Sequence, residues 1–294
     1  MAGPSFFLVG APKCGTTSLC HYLRQHPDIF IPDQKELNFF ASDLDMPRYY
    51  RNVWDYLKPF GDTAKTVSGE ATTWYLYSRT AAQEIRDFNR AAKIIIALRQ
   101  PTDMIYSLFR HRRYVGLERF ERFSQVLERE ANYISNLNGG LNVKTNLIYS
   151  DAAMYHSQIE KYIEIFGHAN VHIALFDDIE NNPQDVYRGM LGFLGVSDDC
   201  RPSFCNVNQT GRIRSERLRQ QLDHPPAVVQ RVAYALPRRV RRTAYWTLRR
   251  LNVSYAPPPP LDRALRRRLN DKFRPDVERL SALIGRDLTH WFAE

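Results

Sequence analysis

The sequence lacks the features that mark several simple classes of protein. Its 294 residues include 4 cysteines, Cys14, Cys20, Cys200 and Cys205, whose spacing fits neither a disulfide scaffold nor a zinc site. No apolar run approaches the ~18 residues of a membrane span. The N-terminus does not combine a charged region, an apolar core and a cleavage site, so we expect no secretory signal. These absences predict free thiols in a cytoplasmic protein.

Acidic residues are the minority among the charges. Asp and Glu number 32 against 41 Lys and Arg, and the formal net charge is +9. A positive balance suits nucleic acid, anionic lipid or a phosphorylated small molecule, and it does not choose among them. A hydrophobic fraction of 44% and a charged fraction of 25% are typical of a globular chain and exclude a disordered one.

Short apolar runs alternate with helical patterns over about the first 200 residues. Strands are predicted at residues 5–10, near 66–68, at 93–98 and at 170–176, and helical patterns follow them. This alternation predicts an α/β fold with a central parallel sheet flanked by helices.

The strand pattern stops after residue 215. We predict one domain with a core at about 5–215 and a helical C-terminal extension at about 216–294. The irregular segment 114–150 is interpreted as an insertion over the sheet edge, where substrate contacts are common.

Residues 10–17 lie between the first predicted strand and the first predicted helix. Gly10 and Gly15 have the GxxxxG spacing of a phosphate-binding loop. A helix N-terminus offers N–H groups and a positive dipole end to an anion. Thr16 stands where a nucleoside triphosphatase has its lysine, and the lysine lies inside the loop as Lys13. The loop therefore predicts a phosphate site without the usual magnesium arrangement.

The run from Pro12 to Leu19 resembles the 5′-phosphosulfate loop of sulfotransferases that use 3′-phosphoadenosine 5′-phosphosulfate (PAPS). The resemblance implies a fold like that of the P-loop kinases and PAPS as the co-substrate. The expected reaction needs no metal, and the sequence shows no cluster of His, Cys and carboxylate residues that could hold one. It also implies that Lys13 stabilises charge on the bridging oxygen as the sulfuryl group departs. The implied PAPS-binding residues of the loop are Lys13, Cys14, Gly15, Thr16, Thr17 and Ser18.

The same family binds the 3′-phosphate with an arginine at a strand end and a serine eight residues later. Arg99 follows strand 93–98, and Ser107 stands at the required distance. Parallel sheets bind ligands at the carboxyl ends of their strands, and a guanidinium grips phosphate with two N–H groups. A later Gly-Arg pair of the family is matched by Gly211 and Arg212. The lysine and the Tyr-Pro of the heparan-modifying branch are absent around that pair, which weakens the match.

Two residues are candidates for the base that removes the acceptor proton. Residues 35–40 resemble the Lys-Glu-x-x-Phe-Phe segment of carbohydrate-type sulfotransferases, several of which use this glutamate as the base. The resemblance implies that role for Glu36. His111 lies one helical turn after Ser107 and matches a histidine near the acceptor in the glycan-type branch. We favour Glu36 as the base and assign His111 to the site.

Aromatic residues follow the second predicted strand, at a strand end that lines the acceptor cleft in the family. Trp74, Tyr75 and Tyr77 either contact the acceptor or belong to the core. The glycan-type motifs favour a sugar hydroxyl, alone or on a lipid, with a small secondary metabolite as a close alternative. Nucleic acid is not an expected partner.

The predicted activity is transfer of a sulfuryl group from PAPS to an acceptor hydroxyl by in-line displacement. A P-loop kinase is one alternative, but it would need Lys at position 16 and an acidic magnesium ligand, for which Asp177 and Asp178 are weak candidates. The other alternative is a non-catalytic basic protein that binds nucleotide or nucleic acid. It predicts steeply salt-sensitive binding without turnover.

The arginine-rich segment 238–250 allows two interpretations. A basic helix with aromatic anchors would lie on an anionic membrane surface. Alternatively the helix packs Tyr245, Trp246 and Leu248 into the domain and leaves its arginines in water. The apolar positions suggest no clean stripe, so we expect the inward packing.

Overall fold

The protein folds around a parallel sheet. The computed structural model describes residues 3–61, 65–134, 147–204, 212–223, 225–226, 229–230, 237–254 and 259–293. Five strands form the sheet in the order β2-β3-β1-β4-β5, namely β1 (Phe6–Gly10), β2 (Ile29–Phe30), β3 (Val67–Ala71), β4 (Lys93–Leu98) and β5 (Val171–Leu175). Every neighbouring pair is parallel, which confirms the predicted fold class.

The two central strands are apolar because helices cover both faces of the sheet. All of β1 is buried, and so are the residues of β4 after Lys93. In the register of β1 with β3, Phe6 lies opposite Gly69. A Cβ at Gly69 would lie 2.1 Å from the Phe6 ring, so glycine is required for this close approach.

Helices connect and flank the strands. Up to residue 194 they are α1 (Thr16–Arg24), α2 (Val53–Leu57), α3 (Ala81–Phe88), α4 (Pro101–Tyr114), α5 (Phe123–Ile134), α6 (Tyr149–Ala152), α7 (Tyr155–Phe166), α8 (Phe176–Asn181) and α9 (Pro183–Leu194). Short 3₁₀ helices cover Lys58–Phe60, His168–Asn170 and Thr289–Phe292. Sequence patterns missed β2, α2 and α8, which are short, and merged α6 with α7.

The chain divides into two compact units. The first contains residues 1–109, 120–208 and 261–294, and the second contains 110–119 and 209–260. Helix α12 (Arg263–Ile284) belongs to the first unit and packs against α7. Its buried residues include Leu269, Phe273, Val277 and Leu280. The structure thus divides the expected extension at residue 261, because these apolar side chains complete the core.

The second unit contains α10 (Glu216–Asp223), α11 (Arg238–Leu251) and an antiparallel pair of strands, β6 (Arg212–Ile213) and β7 (Val253–Ser254). The prediction that strands stop after residue 215 is therefore wrong for β7. Asn252 fixes this pair: its side chain accepts from the Ser215 N–H at 2.8 Å and donates to the Ser215 carbonyl at 2.9 Å.

The predicted inward packing of α11 is also wrong for Trp246 and Leu248. Trp246 is 57% exposed and Leu248 is 42% exposed, while Tyr245 is half-buried. Within the described part of the chain, none of the helices has the length and apolarity needed to cross a bilayer.

Candidate active site

The phosphate loop connects β1 to α1. Gly15 is the N-cap of α1 and has φ +85, in the left-handed region that favours glycine. Because Gly15 has no side chain to cap the helix, the first N–H groups of α1 remain available to an anion. Lys13 adopts φ +64 and is half-buried. The Ala11 N–H donates to the Ala97 carbonyl at 2.7 Å, which joins the loop to β4.

The side chains of the loop do not all face the same way. The Cys14 thiol is buried, donates to the Pro12 carbonyl at 3.5 Å and lies 3.9 Å from the Tyr155 hydroxyl. Burial raises the pKa of Cys14 to about 12, so the thiol stays protonated. A contact between Cys14 and phosphate would therefore come from its backbone. Thr16 is buried, and Thr17 and Ser18 are half-buried.

A second lysine reaches the phosphate loop. The Lys35 ammonium donates to Thr17 Oγ1 at 3.2 Å, across 18 positions of sequence. Sequence reasoning assigned Lys35 no role at this loop, although it stands beside Glu36 in the motif that singled out that carboxylate. The structure thus brings the segment that contains the candidate base against the phosphate loop.

Arg99 lies at the end of β4, next to the loop. Its guanidinium carbon stacks 4.2 Å from the centroid of the Phe176 ring, at the start of α8. A Cβ at Gly15 would lie 3.3 Å from the same ring. Phe176 therefore lies between the loop and Arg99, a contact that the sequence did not suggest. Stacking on a ring restrains the plane of a guanidinium and leaves its N–H groups free to bind an anion.

The first turn of α4 is tied to the C-terminal helix. Thr102 Oγ1 donates to Asn270 Oδ1 at 2.8 Å, and Arg266 forms an ion pair with Asp103 at 2.6 Å. These contacts hold the helix that carries Ser107, which is half-buried. The family resemblance did not extend past residue 215, so nothing in the sequence pointed to this support.

The remaining predicted residues lie outside this group. His111 is half-buried near the end of α4 and belongs to the second unit. Gly211 lies outside the described residues. Only the backbone of Arg212 is described, as part of β6. The structure thus places the loop residues, Glu36, Arg99 and Ser107 in the first unit. The site roles of His111, Gly211 and Arg212 stay predictions.

Glu36 lies beside the carboxyl end of β3. Its carboxylate accepts from the Thr73 N–H at 3.0 Å and from Thr73 Oγ1 at 3.2 Å, while its own N–H donates to the Ala71 carbonyl at 2.9 Å. Burial raises the pKa of Glu36, and the Lys35 charge and the Thr73 hydrogen bonds oppose this rise. A carboxylate with a raised pKa is a stronger base, as removal of a hydroxyl proton requires.

The segment 36–41 has an unusual backbone. Glu36, Asn38 and Ala41 adopt φ +59, +53 and +73, a region that costs a non-glycine residue about 1–2 kcal/mol. Buried side chains hold the segment in this form. The Tyr75 hydroxyl accepts hydrogen bonds from the backbone N–H groups of Phe39 at 2.9 Å and Phe40 at 3.2 Å.

Glu70, in β3, is the centre of the network that holds this segment. It accepts from the hydroxyls of Tyr56 at 2.5 Å, Thr72 at 2.7 Å and Tyr75 at 2.8 Å. Burial raises the pKa of Glu70 to about 7. Sequence reasoning gave Glu70 no role. The available signal was a carboxylate within a strand that is otherwise buried.

The aromatic residues after β3 divide between core and surface. Tyr75 is 1% exposed and Tyr77 is 9% exposed, so both belong to the core. Trp74 is half-buried, and of the three it has the most surface to offer an acceptor.

The carboxylates that a kinase would need are engaged elsewhere. Asp177 accepts from Trp291 Nε1 at 2.8 Å, and Asp178 forms an ion pair with Arg286 at 2.9 Å. The described residues contain no group of three or more His, Cys, Asp or Glu side chains placed to hold a metal ion.

Known proteins resemble this chain over most of its length. A family model described as a sulfotransferase domain matches residues 4–220. The crystal structure of a sulfotransferase from Alicyclobacillus acidocaldarius superimposes with a TM-score of 0.73 and 29% identity, over 100% of both chains.

Two curated relatives are similar over part of their length. The membrane-associated sulfotransferase kil1 of Dictyostelium discoideum is 29% identical over 54% of this chain and 33% of its own. The bifunctional heparan sulfate N-deacetylase/N-sulfotransferase 3 of Mus musculus is 31% identical over 76% of this chain and 27% of its own. The chain thus spans a third or less of these relatives.

Proposed function

The chain belongs to the sulfotransferase domain family, and from this premise we propose that it transfers a sulfuryl group from PAPS to an acceptor hydroxyl. The observation that carries the proposal is the pairing of two anion-binding elements on neighbouring strands. The glycine-capped start of α1 follows β1, and Arg99 follows β4. Phe176 contacts the guanidinium of Arg99 and lies against Gly15.

The residues present suit both charged ends of PAPS. The first N–H groups of α1 and the positive end of its dipole match a 5′-phosphosulfate. The stacked guanidinium of Arg99 matches a 3′-phosphate, because its N–H groups bind phosphate oxygens in pairs. Ser107 is the predicted second donor to that phosphate.

The proposed mechanism assigns one role to each residue. Bound PAPS supplies the sulfuryl group and the bridging oxygen that leaves. Glu36 takes the proton of the acceptor hydroxyl as the acceptor oxygen bonds to sulfur and the bond from sulfur to the bridging oxygen breaks. Lys13 and the N-terminus of α1 stabilise the negative charge that develops on the leaving oxygen. Lys35, which donates a hydrogen bond to Thr17, adds positive charge beside the loop.

The acceptor that we propose first is a carbohydrate hydroxyl, free or on a lipid, with a secondary metabolite as the alternative. The match of residues 35–40 to the carbohydrate-type segment supports this acceptor. The name of the mouse relative, a heparan sulfate N-sulfotransferase, supports a carbohydrate acceptor without specifying a hydroxyl. The proposed compartment is the cytoplasm, supported by the free thiols of Cys14, Cys20 and Cys200.

The donor is tested by thermal unfolding with nucleotides. We expect 3′-phosphoadenosine 5′-phosphate to raise the Tm, since a ligand at a hundredfold excess over its Kd stabilises the folded state by about 2.7 kcal/mol. Adenosine 5′-phosphate lacks the 3′-phosphate and should act more weakly. A larger shift with Mg²⁺ and ATP would contradict the proposal and favour the kinase. Turnover is then tested by incubation with PAPS and candidate sugars, where the product gains the mass of one sulfuryl group.

A further inference from the structure

Helix α11 carries an apolar stripe that faces solvent. The stripe consists of Val240, Ala244, Leu248 and Leu251. Spacings of four, four and three residues place these side chains on one face of the helix, so the expectation that its apolar positions form no clean stripe is wrong. Val240 is 50% exposed, Leu248 is 42% exposed and Leu251 is 64% exposed, and Ala244 is also exposed. While this face stays in water, the protein does not gain the free energy that burial of these apolar side chains would provide.

The rest of α11 is strongly basic. The helix contains six arginines and no acidic residue, and the arginines are Arg238, Arg239, Arg241, Arg242, Arg249 and Arg250. At 100° per residue, most of them lie opposite the apolar stripe. Trp246 lies on the arginine side, where the guanidinium of Arg249 stacks over its ring at 5.6 Å. The helix therefore has an apolar face and a cationic face.

We propose that α11 binds the surface of an anionic lipid bilayer, with its apolar stripe in the acyl boundary and its arginines among the headgroups. An amphipathic helix with a basic polar face binds membranes in this way, and long arginine side chains extend to the headgroups while their stems stay in apolar surroundings. This surface shares no residue with the proposed sulfuryl-transfer site, and the proposal does not depend on the identity of the acceptor.

Charge and apolar area together select this partner. A soluble polyanion, such as a sulfated glycan or a nucleic acid, would pair with the arginines and leave the stripe in water. A second copy of the helix would cover the stripe but would bring together two helices that each contain six arginines and no acidic residue, so their charges would repel. A bilayer with anionic headgroups takes up both faces.

The experiment is co-sedimentation of the full chain with vesicles at low ionic strength. We expect binding to vesicles of phosphatidylcholine mixed with phosphatidylserine, weaker binding to phosphatidylcholine alone, and a decrease on addition of salt. The double variant Arg239→Gln/Arg242→Gln should weaken binding about thirtyfold, since each arginine near an anionic surface contributes about fivefold. Absence of binding at low salt overturns the proposal.

Two further variants separate this surface from general attraction. Arg263→Gln/Arg268→Gln removes the same charge from two exposed positions of α12 and should leave vesicle binding within about threefold of wild type. Equal losses from the two double variants would overturn the proposal. Leu248→Ser/Leu251→Ser keeps every arginine and should also weaken binding. Unchanged binding in this variant would indicate a purely electrostatic surface and contradict the role of the stripe.

All of these substitutions are at exposed positions, so folding is expected to persist. Circular dichroism and the Tm of each variant verify this. The Tm shift with 3′-phosphoadenosine 5′-phosphate should match wild type in all of them. A variant that loses vesicle binding but keeps this shift assigns the loss to α11.

Discussion

The candidate site has a donor side, the phosphate loop at residues 10–17 with Arg99, and an acceptor side, the segment 36–41. The two sides use left-handed backbone in different ways. On the donor side, Gly15 adopts φ +85 at little cost, and one half-buried residue, Lys13, shares that conformation. On the acceptor side, Glu36, Asn38 and Ala41 all adopt it without glycine. A local turn thus suffices for the donor, whereas the acceptor side needs support from elsewhere in the chain.

That support comes from buried side chains at the end of β3. Thr73 holds the Glu36 carboxylate, Tyr75 holds the backbone of Phe39 and Phe40, and Glu70 accepts from Tyr75. Backbone strain at functional sites persists only where the surroundings determine it. We therefore expect the donor side to respond to changes in ligand-binding groups, and the acceptor side to respond also to changes in its buried network.

The largest expected effect concerns the base. Glu36→Gln keeps the shape of the side chain and removes the proton acceptor, so kcat should fall by about 10²- to 10⁴-fold. The affinity for 3′-phosphoadenosine 5′-phosphate should stay close to wild type, because that ligand binds the donor side. Steady-state kinetics measures the fall in kcat, and titration calorimetry measures the affinity for the nucleotide. If His111→Ala abolishes turnover and Glu36→Gln changes it little, the base is His111.

The next effect concerns Glu70 and the pH dependence of stability. Since burial raises the pKa of Glu70 from 4.5 to about 7, the folded protein binds this proton more tightly than the unfolded chain. The contribution of this proton to the free energy of unfolding is fully present below the pKa of Glu70 in the unfolded chain, about 4.5. It is lost as the pH rises through about 7, the pKa of Glu70 in the folded protein. The loss amounts to about 3 kcal/mol at about 1.4 kcal/mol per pKa unit.

Glu70→Gln removes this titration. The difference in unfolding free energy between the variant and wild type should move in favour of the variant by about 3 kcal/mol between about pH 4 and pH 9. Denaturant unfolding of both proteins over a pH series measures the difference, and subtraction cancels the other titrating groups. Curves that stay parallel across the series would show that Glu70 keeps an ordinary pKa.

A smaller effect is expected for Arg99→Ala. Loss of a charge-assisted contact to phosphate should weaken binding of 3′-phosphoadenosine 5′-phosphate by about 1.5–3 kcal/mol. In contrast to Glu36→Gln, kcat at saturating PAPS should change less than the KM for PAPS. Titration calorimetry on the variant provides the test. An unchanged affinity would remove Arg99 from the donor side, whatever happens to turnover.

The smallest effect concerns Phe176→Leu. Loss of the ring under Arg99 should weaken nucleotide binding by about 0.5–1 kcal/mol, because cation–π pairs at partly exposed sites have about that strength. The matched control is Phe292→Leu, which removes the ring under Arg274, where the guanidinium lies 4.5 Å from the centroid. Only the change at Phe176 should alter nucleotide affinity. Equal effects in both variants would indicate a general loss of packing.

The elements that the sequence predicted correctly are local. The β1 strand, the loop with Lys13 and Gly15, and the helix after it form one continuous segment, so spacing and composition were sufficient. Strand β4 was equally clear from its β-branched run. The missed site contacts join distant positions: Lys35 with Thr17, and Phe176 with Arg99. No periodicity records such a pair, because each contact exists only once the sheet has aligned the strand ends.

The two arginine-rich helices, α11 and α12, show that the sequence also does not determine which apolar residues are buried. In α12, apolar residues spaced by four, four and three run from Leu269 to Leu280, and in α11 the same spacing runs from Val240 to Leu251. The amino-acid pattern therefore determines an amphipathic helix in both places. The first stripe is buried in the core and the second is exposed. Hydrophobic free energy is gained only against a surface that is present, and the fold provides one for α12, which packs on α7, but leaves the stripe of α11 in water.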